Sequence, residues 1–101
     1  MTARRRRLVR LEDLIGRRVR AADGTPVGRI EEVIAEPRGG DHEITEYHIG
    51  AGALHERFGV VSRLFGGKSP MLVARWDQLD IHQPDSPTLT CGVDELKRDR
   101  R

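Results

Sequence analysis

The sequence is poor in cysteine, lysine and aromatic residues: one cysteine, two lysines, one tryptophan, one tyrosine and two phenylalanines in 101 residues. A lone Cys91 excludes an internal disulfide and a zinc site built from several thiolates. Aromatics at 4% leave no platform of rings on which unpaired bases stack. Long apolar runs are missing too. The longest is Met71-Leu72-Val73-Ala74, far short of the roughly 20 residues that span a bilayer. The basic start Arg4–Arg7 is followed by Leu8-Val9-Arg10-Leu11-Glu12-Asp13. That stretch is charged, so no apolar core of a signal peptide follows. The expectation is a cytoplasmic chain without membrane insertion.

What the chain does hold is charge. Charged residues make up 34% and hydrophobic residues 37%, too apolar for full disorder and enough for one modest core. A chain this size buries roughly two-thirds of the surface exposed when unfolded. The net charge of +2 conceals a skewed layout. Arg4 to Arg10 contains five arginines and no acid, and Lys97-Arg98-Asp99-Arg100-Arg101 has four bases against one acid. The middle is acidic, through Glu31, Glu32, Glu36, Asp41, Glu43 and Glu46. Basic ends of this kind can sample polyanions, and they also serve simply as solubilising tails.

Along the chain, Leu8, Leu11, Leu14 and Ile15 fall at helical spacing before Gly16. Residues 17–22 read as a strand, and Asp23-Gly24 is a hairpin signal that suits a turn with positive φ. Residues 26–35 read as the second strand, in which Gly28 marks a bulge or a close backbone approach. Residues 37–41 read as a loop and 43–50 as a third strand without clean alternation. Leu54, Phe58, Val61 and Phe65 lie four, three and four apart, one face of an amphipathic helix ended by Gly66-Gly67. Residues 71–76 form a fourth, strongly apolar strand and 88–91 a last short one, and the chain from Val93 onward frays. The division is a flexible basic arm (1–10), one domain (11–92) and a charged tail (93–101).

Leu14, Gly16, Val19, Asp23-Gly24, Gly28 and Val33, with Trp76-Asp77 ahead of Ile81, stand in an order that resembles the PRC-barrel domain family. That small β-barrel is found in the photosynthetic reaction-centre H subunit, in a ribosome-maturation factor and in stand-alone prokaryotic proteins. The likeness spans about residues 11 to 91. It departs from the family at Arg75, where a proline often stands, and in the length of the Leu54–Phe65 stretch. It implies a mainly β fold, a small antiparallel β-barrel of five or six strands with one short helical excursion. Gly16, Asp23, Gly24 and Gly28 are its turn positions, and Trp76 is read as a core anchor. It also implies a non-enzymatic module that docks on proteins or on itself. The H-subunit role does not carry over without a membrane span, nor the maturation role without the domain that precedes the barrel there.

Candidate chemistry does not assemble from the residues. His42, His48, His55 and His82 include no pair at the i, i+4 spacing of a helical metal site. Gly66-Gly67-Lys68-Ser69 lacks the earlier glycine of a phosphate loop, since Ser62 stands there. Asp77 and Asp80 have no orienting base, and Cys91 would need a neighbouring base to act as a nucleophile. The reading has no catalytic residue, metal or cofactor. Its partners are a second copy, through Leu54, Phe58, Val61 and Phe65, or another protein. The alternative is weak RNA or ribosome association through Arg4, Arg5, Arg6 and Arg7.

Overall fold

The computed structural model describes residues 10–51 and 71–99. They form a helical turn, α1 (Leu11–Leu14), and seven strands: β1 (Arg18–Arg20), β2 (Pro26–Arg38), β3 (Asp41–Gly50), β4 (Met71–Arg75), β5 (Leu79–Asp80), β6 (Thr88–Leu89) and β7 (Lys97–Asp99). Two 3₁₀ turns, Trp76–Gln78 and Val93–Glu95, join the later strands. The sheet order is β5-β6-β1-β2-β3-β4-β7. It curls into a half-barrel.

Local sequence explains the two hairpins. Between β1 and β2 the Ala21 N–H donates to the Thr25 carbonyl at 2.8 Å and the Gly24 N–H to the Ala21 carbonyl at 2.9 Å. Only Gly24 has positive φ, +90°. Asp23 instead accepts the Thr25 N–H on its carboxylate at 2.9 Å. This is the three-residue hairpin loop closed by a left-handed glycine. Between β2 and β3, Gly39 and Gly40 take φ of +53° and +92°, and Arg38 faces Asp41 across the ladder. Two successive residues at positive φ make the tight turn whose twist matches the strands. The strands therefore run up to the turn. Pro37, read from the sequence as loop, is paired with His42 inside the ladder.

Three bulges decide which side chains face inward. The β1–β2 register passes from Val19↔Gly28 to Arg20↔Pro26, leaving Val27 as the extra residue. The β2–β3 register passes from Ile30↔Ile49 to Glu32↔His48, then from Ile34↔Glu46 to Ala35↔Ile44. Glu31 and Thr45 are the extra residues there, and the Thr45 hydroxyl donates to the Ile34 carbonyl at 3.3 Å. A bulge changes the parity of a strand and bends it. Ile30 and Val33, three apart, thus both point toward the core while Glu31 and Glu32 point away. Ile44 is likewise brought onto the core side with Tyr47 and Ile49. This is why residues 43–50 do not alternate cleanly.

The core is built from Leu14, Val19, Val27, Ile30, Tyr47, Ile49, Ala51, Leu72, Ala74, Leu79, Leu89 and Leu96. Each fully buried Leu, Ile or Val contributes about 1.5–3 kcal/mol over its exposed state. The paired Leu79 and Leu89 of β5 and β6 close one end. Leu96, delivered by the Val93–Glu95 turn, adds to the core from the chain's later part.

The sheet corrects the sequence reading in three respects. It is mixed, because β1 and β6 run parallel at Arg20↔Thr88. Among the described residues it ends at β5 and β7 as a curled half-barrel, a detail within the mainly β, barrel-like fold the sequence implied. Residues 97–99, read as part of a fraying tail, form β7 and pair with Met71–Val73. Trp76, read as a core anchor, is 42% exposed. It begins the 3₁₀ turn rather than ending β4, which carries its ring off the strand's inward face. Tyr47, at 2% exposure, is the aromatic side chain of the core among the described residues. The helix expected over Leu54–Phe65 lies outside the described residues, as does the stretch Arg4–Arg7.

Gly28 is where the curl is tightest. A Cβ there would lie 1.8 Å from the Gly50 carbonyl oxygen and 2.9 Å from the Ala51 Cα, backbone that no rotamer change can move. At Gly50 itself a Cβ meets only the carboxylate end of Glu31, which can swing aside. Gly28→Ala is therefore expected to cost about 1–3 kcal/mol or more, as overpacking does, and Gly50→Ala well under that. Urea denaturation midpoints of the two variants check the order.

Candidate functional site

Strand register assembles one polar cluster on the outward face. Cross-strand pairing runs Glu32↔His48 and His48↔Val73, then Val73↔Lys97. The four side chains therefore stand in one row over β2, β3, β4 and β7. Glu46, two residues before His48 on β3, shares that face. The Glu31 bulge is what brings Glu32 into the row.

His48 is 9% exposed. Its Nδ1 lies 3.1 Å from Glu32 Oε1 and its Nε2 3.8 Å from Glu46 Oε1. Each ring nitrogen thus faces a carboxylate, which fixes the plane of the imidazole. Beside it is a groove of about 340 Å³ lined by Glu46, His48, Val73, Lys97 and Arg98. One imidazole, one carboxylate and two cations share that lining. Such a set can hold a polar group of a partner by charge and hydrogen bonding. Among the described residues the lining contains no hydroxyl or thiol.

The residues singled out from the sequence are spread over the sheet. Asp77 lies 3.2 Å from the Arg75 Nε, and Asp80 accepts the His82 N–H at 2.8 Å. Both acids thus serve local turns. Gln78 is buried, with its side-chain carbonyl accepting the Arg75 N–H at 2.9 Å and its backbone carbonyl accepting the Thr90 N–H at 3.0 Å. His42 and His82 are exposed. Among the described residues, no group of three or more His, Cys, Asp or Glu side chains could hold a metal ion. Gly16, at φ +87°, ends α1, and its N–H donates to the Ile30 carbonyl at 2.7 Å. Gly16, Gly24 and Gly28 shape the β1–β2 unit; they do not converge on a site.

The α1 turn, the β1–β2 hairpin and the curled β2–β3 ladder are the segment in which the sequence pattern is densest. A family model described as PRC-barrel domain matches residues 7–53. Those residues are similar to a PRC-barrel domain. The match covers just under half of the chain and includes Gly16, Val19, Asp23-Gly24, Gly28 and Val33. Trp76-Asp77 lies beyond it. Comparison with curated proteins and comparison with solved structures each give no match.

Sequence reasoning missed two features of this PRC-barrel-like domain. The first is the Glu32–His48–Glu46 cluster, which exists only because a bulge shifts Glu32 by one position. The second is a row of arginines, Arg18, Arg20 and Arg29, on the outward face of β1 and β2. Its signal was present: an alternating Arg-Val-Arg before a hairpin whose far strand carries Arg29.

Cys91 is half-buried. Burial raises its thiol pKa above the ordinary value, and nearby Glu95 adds to the shift, while Arg75 opposes it. This is the reverse of what activates a nucleophilic thiol. Iodoacetamide should alkylate Cys91 more slowly than a free cysteine at neutral pH. The folded state holds the thiol proton more tightly than the unfolded state does. Stability should therefore fall as pH rises from the ordinary thiol pKa through the raised one. Denaturation at alkaline pH, with Cys91→Ser as the reference lacking that contribution, checks the sign. The lone Trp76 should show emission readily quenched by acrylamide in the native state, and Trp76→Ala should cost far less stability than Tyr47→Ala, for which about 3–5 kcal/mol is expected as for other large buried aromatics.

Proposed function

We propose that this PRC-barrel-like domain is a non-enzymatic, cytoplasmic docking module for another protein or for a second copy of itself. The observation that carries the reading is the outer half of the β2–β3 ladder. From Glu31 to Arg38 on β2 and from Asp41 to Thr45 on β3, the two strands pair only with each other among the described residues. Each presents an outer ladder edge there, the element that an extended partner strand uses for docking. A two-stranded ribbon is marginal by itself, so a partner that adds a strand would gain backbone hydrogen bonds and steady the ribbon. Its charge favours a basic partner strand: Glu31, Glu32, Glu36, Asp41 and Glu43 outnumber Arg38 and His42, and Arg38 is already 3.3 Å from Glu43.

A photo-crosslinker placed at Glu36 or at His42 in the native cell should capture one dominant partner. A crosslinker at Asp85, in the turn between β5 and β6, should not. Equal capture from both places, or the same partner retained after residues 37–42 are replaced by a two-residue turn, would sink the ribbon as the docking element. Self-association through Leu54, Phe58, Val61 and Phe65 belongs to the same proposal and rests on their periodicity alone. Phe58→Asp and Phe65→Asp are expected to convert a sedimenting dimer to a monomer without unfolding it. A wild-type chain that sediments as a monomer at high concentration removes that part.

A further inference from the structure

Six of the arginines among the described residues fall into two groups. Arg10, Arg38 and Arg75 each lie within 3.4 Å of a carboxylate oxygen, on Glu12, Glu43 and Asp77. Arg18, Arg20 and Arg29 are exposed and have no carboxylate partner among the described residues. Arg18 and Arg29 face each other directly across the ladder. Their Cβ atoms then stand about 4.5–5.5 Å apart, and like charges so placed repel. Arg20 lies on the same face of β1, about 7 Å along the strand. Two of the three guanidiniums are tethered by a single hydrogen bond to backbone, Arg20 Nη1 to the Gly24 carbonyl at 3.1 Å and Arg29 Nη1 to the Gly16 carbonyl at 3.3 Å. The other donors of each fork remain for a ligand, and the tether limits the rotamer freedom lost on binding.

We propose that this outward face of β1 and β2 binds the phosphate backbone of a nucleic-acid duplex through Arg18, Arg20 and Arg29. A guanidinium fork matches two phosphate oxygens at once. A row of three on a pleated strand offers charge along a line, the form in which a duplex presents its phosphates. β1 lies between β2 and β6, with Arg20 paired to Thr88 on the β6 side. Across the ladder Pro26 stands opposite Arg20, with Thr88 on its other side. No aromatic residue belongs to the row, and the contact reads backbone charge rather than bases. The proposal is independent of the docking ribbon, which lies farther along β2 and β3, and the two fail separately.

The test is fluorescence anisotropy of the full chain with a labelled DNA duplex of mixed sequence, titrated at several salt concentrations. The variant R18Q/R20Q/R29Q should bind more weakly. Its log K against log salt should be shallower by about 2.7 if all three arginines touch phosphates. Its melting temperature at low salt should equal or exceed that of the wild type, because the Arg18–Arg29 repulsion is gone. R18K/R20K/R29K keeps the charge and should keep most of the slope. Should the triple variant fail to fold, R18Q alone is expected to lower the slope by about 0.9. The proposal is overturned if the Gln variants bind the duplex as the wild type does. It is equally overturned if replacing Arg4–Arg7 by Gln abolishes binding while R18Q/R20Q/R29Q leaves it intact, or if anionic phospholipid vesicles or polyglutamate bind the wild type more tightly than the duplex.

Discussion

The fold depends on bending one long antiparallel ladder around a small core. β2 has thirteen residues, which would extend about 43 Å if straight. A flat ribbon of that length covers no core of this size. The extra residues Val27, Glu31 and Thr45 bend it, and the missing side chain at Gly28 lets the end of β3 cross over it. With the curl in place, Val19, Val27, Ile30, Val33, Ile44, Tyr47 and Ile49 converge from three strands that would otherwise send some of them to solvent. The short strands β5, β6 and β7 then only have to close the margins. β5 and β6 contribute Leu79 and Leu89, and Leu96 comes from the turn just before β7.

The same bulges distribute charge on the outward face. At the centre of the sheet, His48 stands between Glu32 and Glu46, and the cations Lys97 and Arg98 line the groove beside it. Opposite signs meet there at short range. At the β1 side the pattern reverses, with three arginines and no facing carboxylate among the described residues. The ribbon beyond Glu31 is dominated by acids. Three electrostatic zones thus follow one another around a sheet whose inner face is uniformly apolar.

Much of the fold was legible because turn chemistry is local. The helical turn before Gly16, the hairpin at Asp23-Gly24 and the apolar β4 all follow from residues within a few positions of one another. Pro37 misled because a proline on the outer edge of a two-stranded ribbon costs no ladder hydrogen bond. Trp76 misled because a large apolar residue at the end of an apolar strand is ordinarily core. Whether it points inward depends on where the strand hands over to the 3₁₀ turn. β7 could not be read at all: Lys97-Arg98-Asp99 has no strand propensity worth noting, and it pairs because β4 exposes an edge beside it.

The amino-acid sequence by itself determined the family likeness, the mainly β class, the β1–β2 and β2–β3 hairpins and the absence of a long apolar span, because these rest on glycine conformations, short-range turns and local apolar content. Tertiary structure alone decided that the sheet is mixed and curled, that His48 sits between two glutamates, and that Arg18, Arg20 and Arg29 form one row with no carboxylate partner among the described residues. Those outcomes depend on register. One extra residue in a strand reverses the face of every side chain beyond it, and that choice is made by how the whole sheet packs over its core.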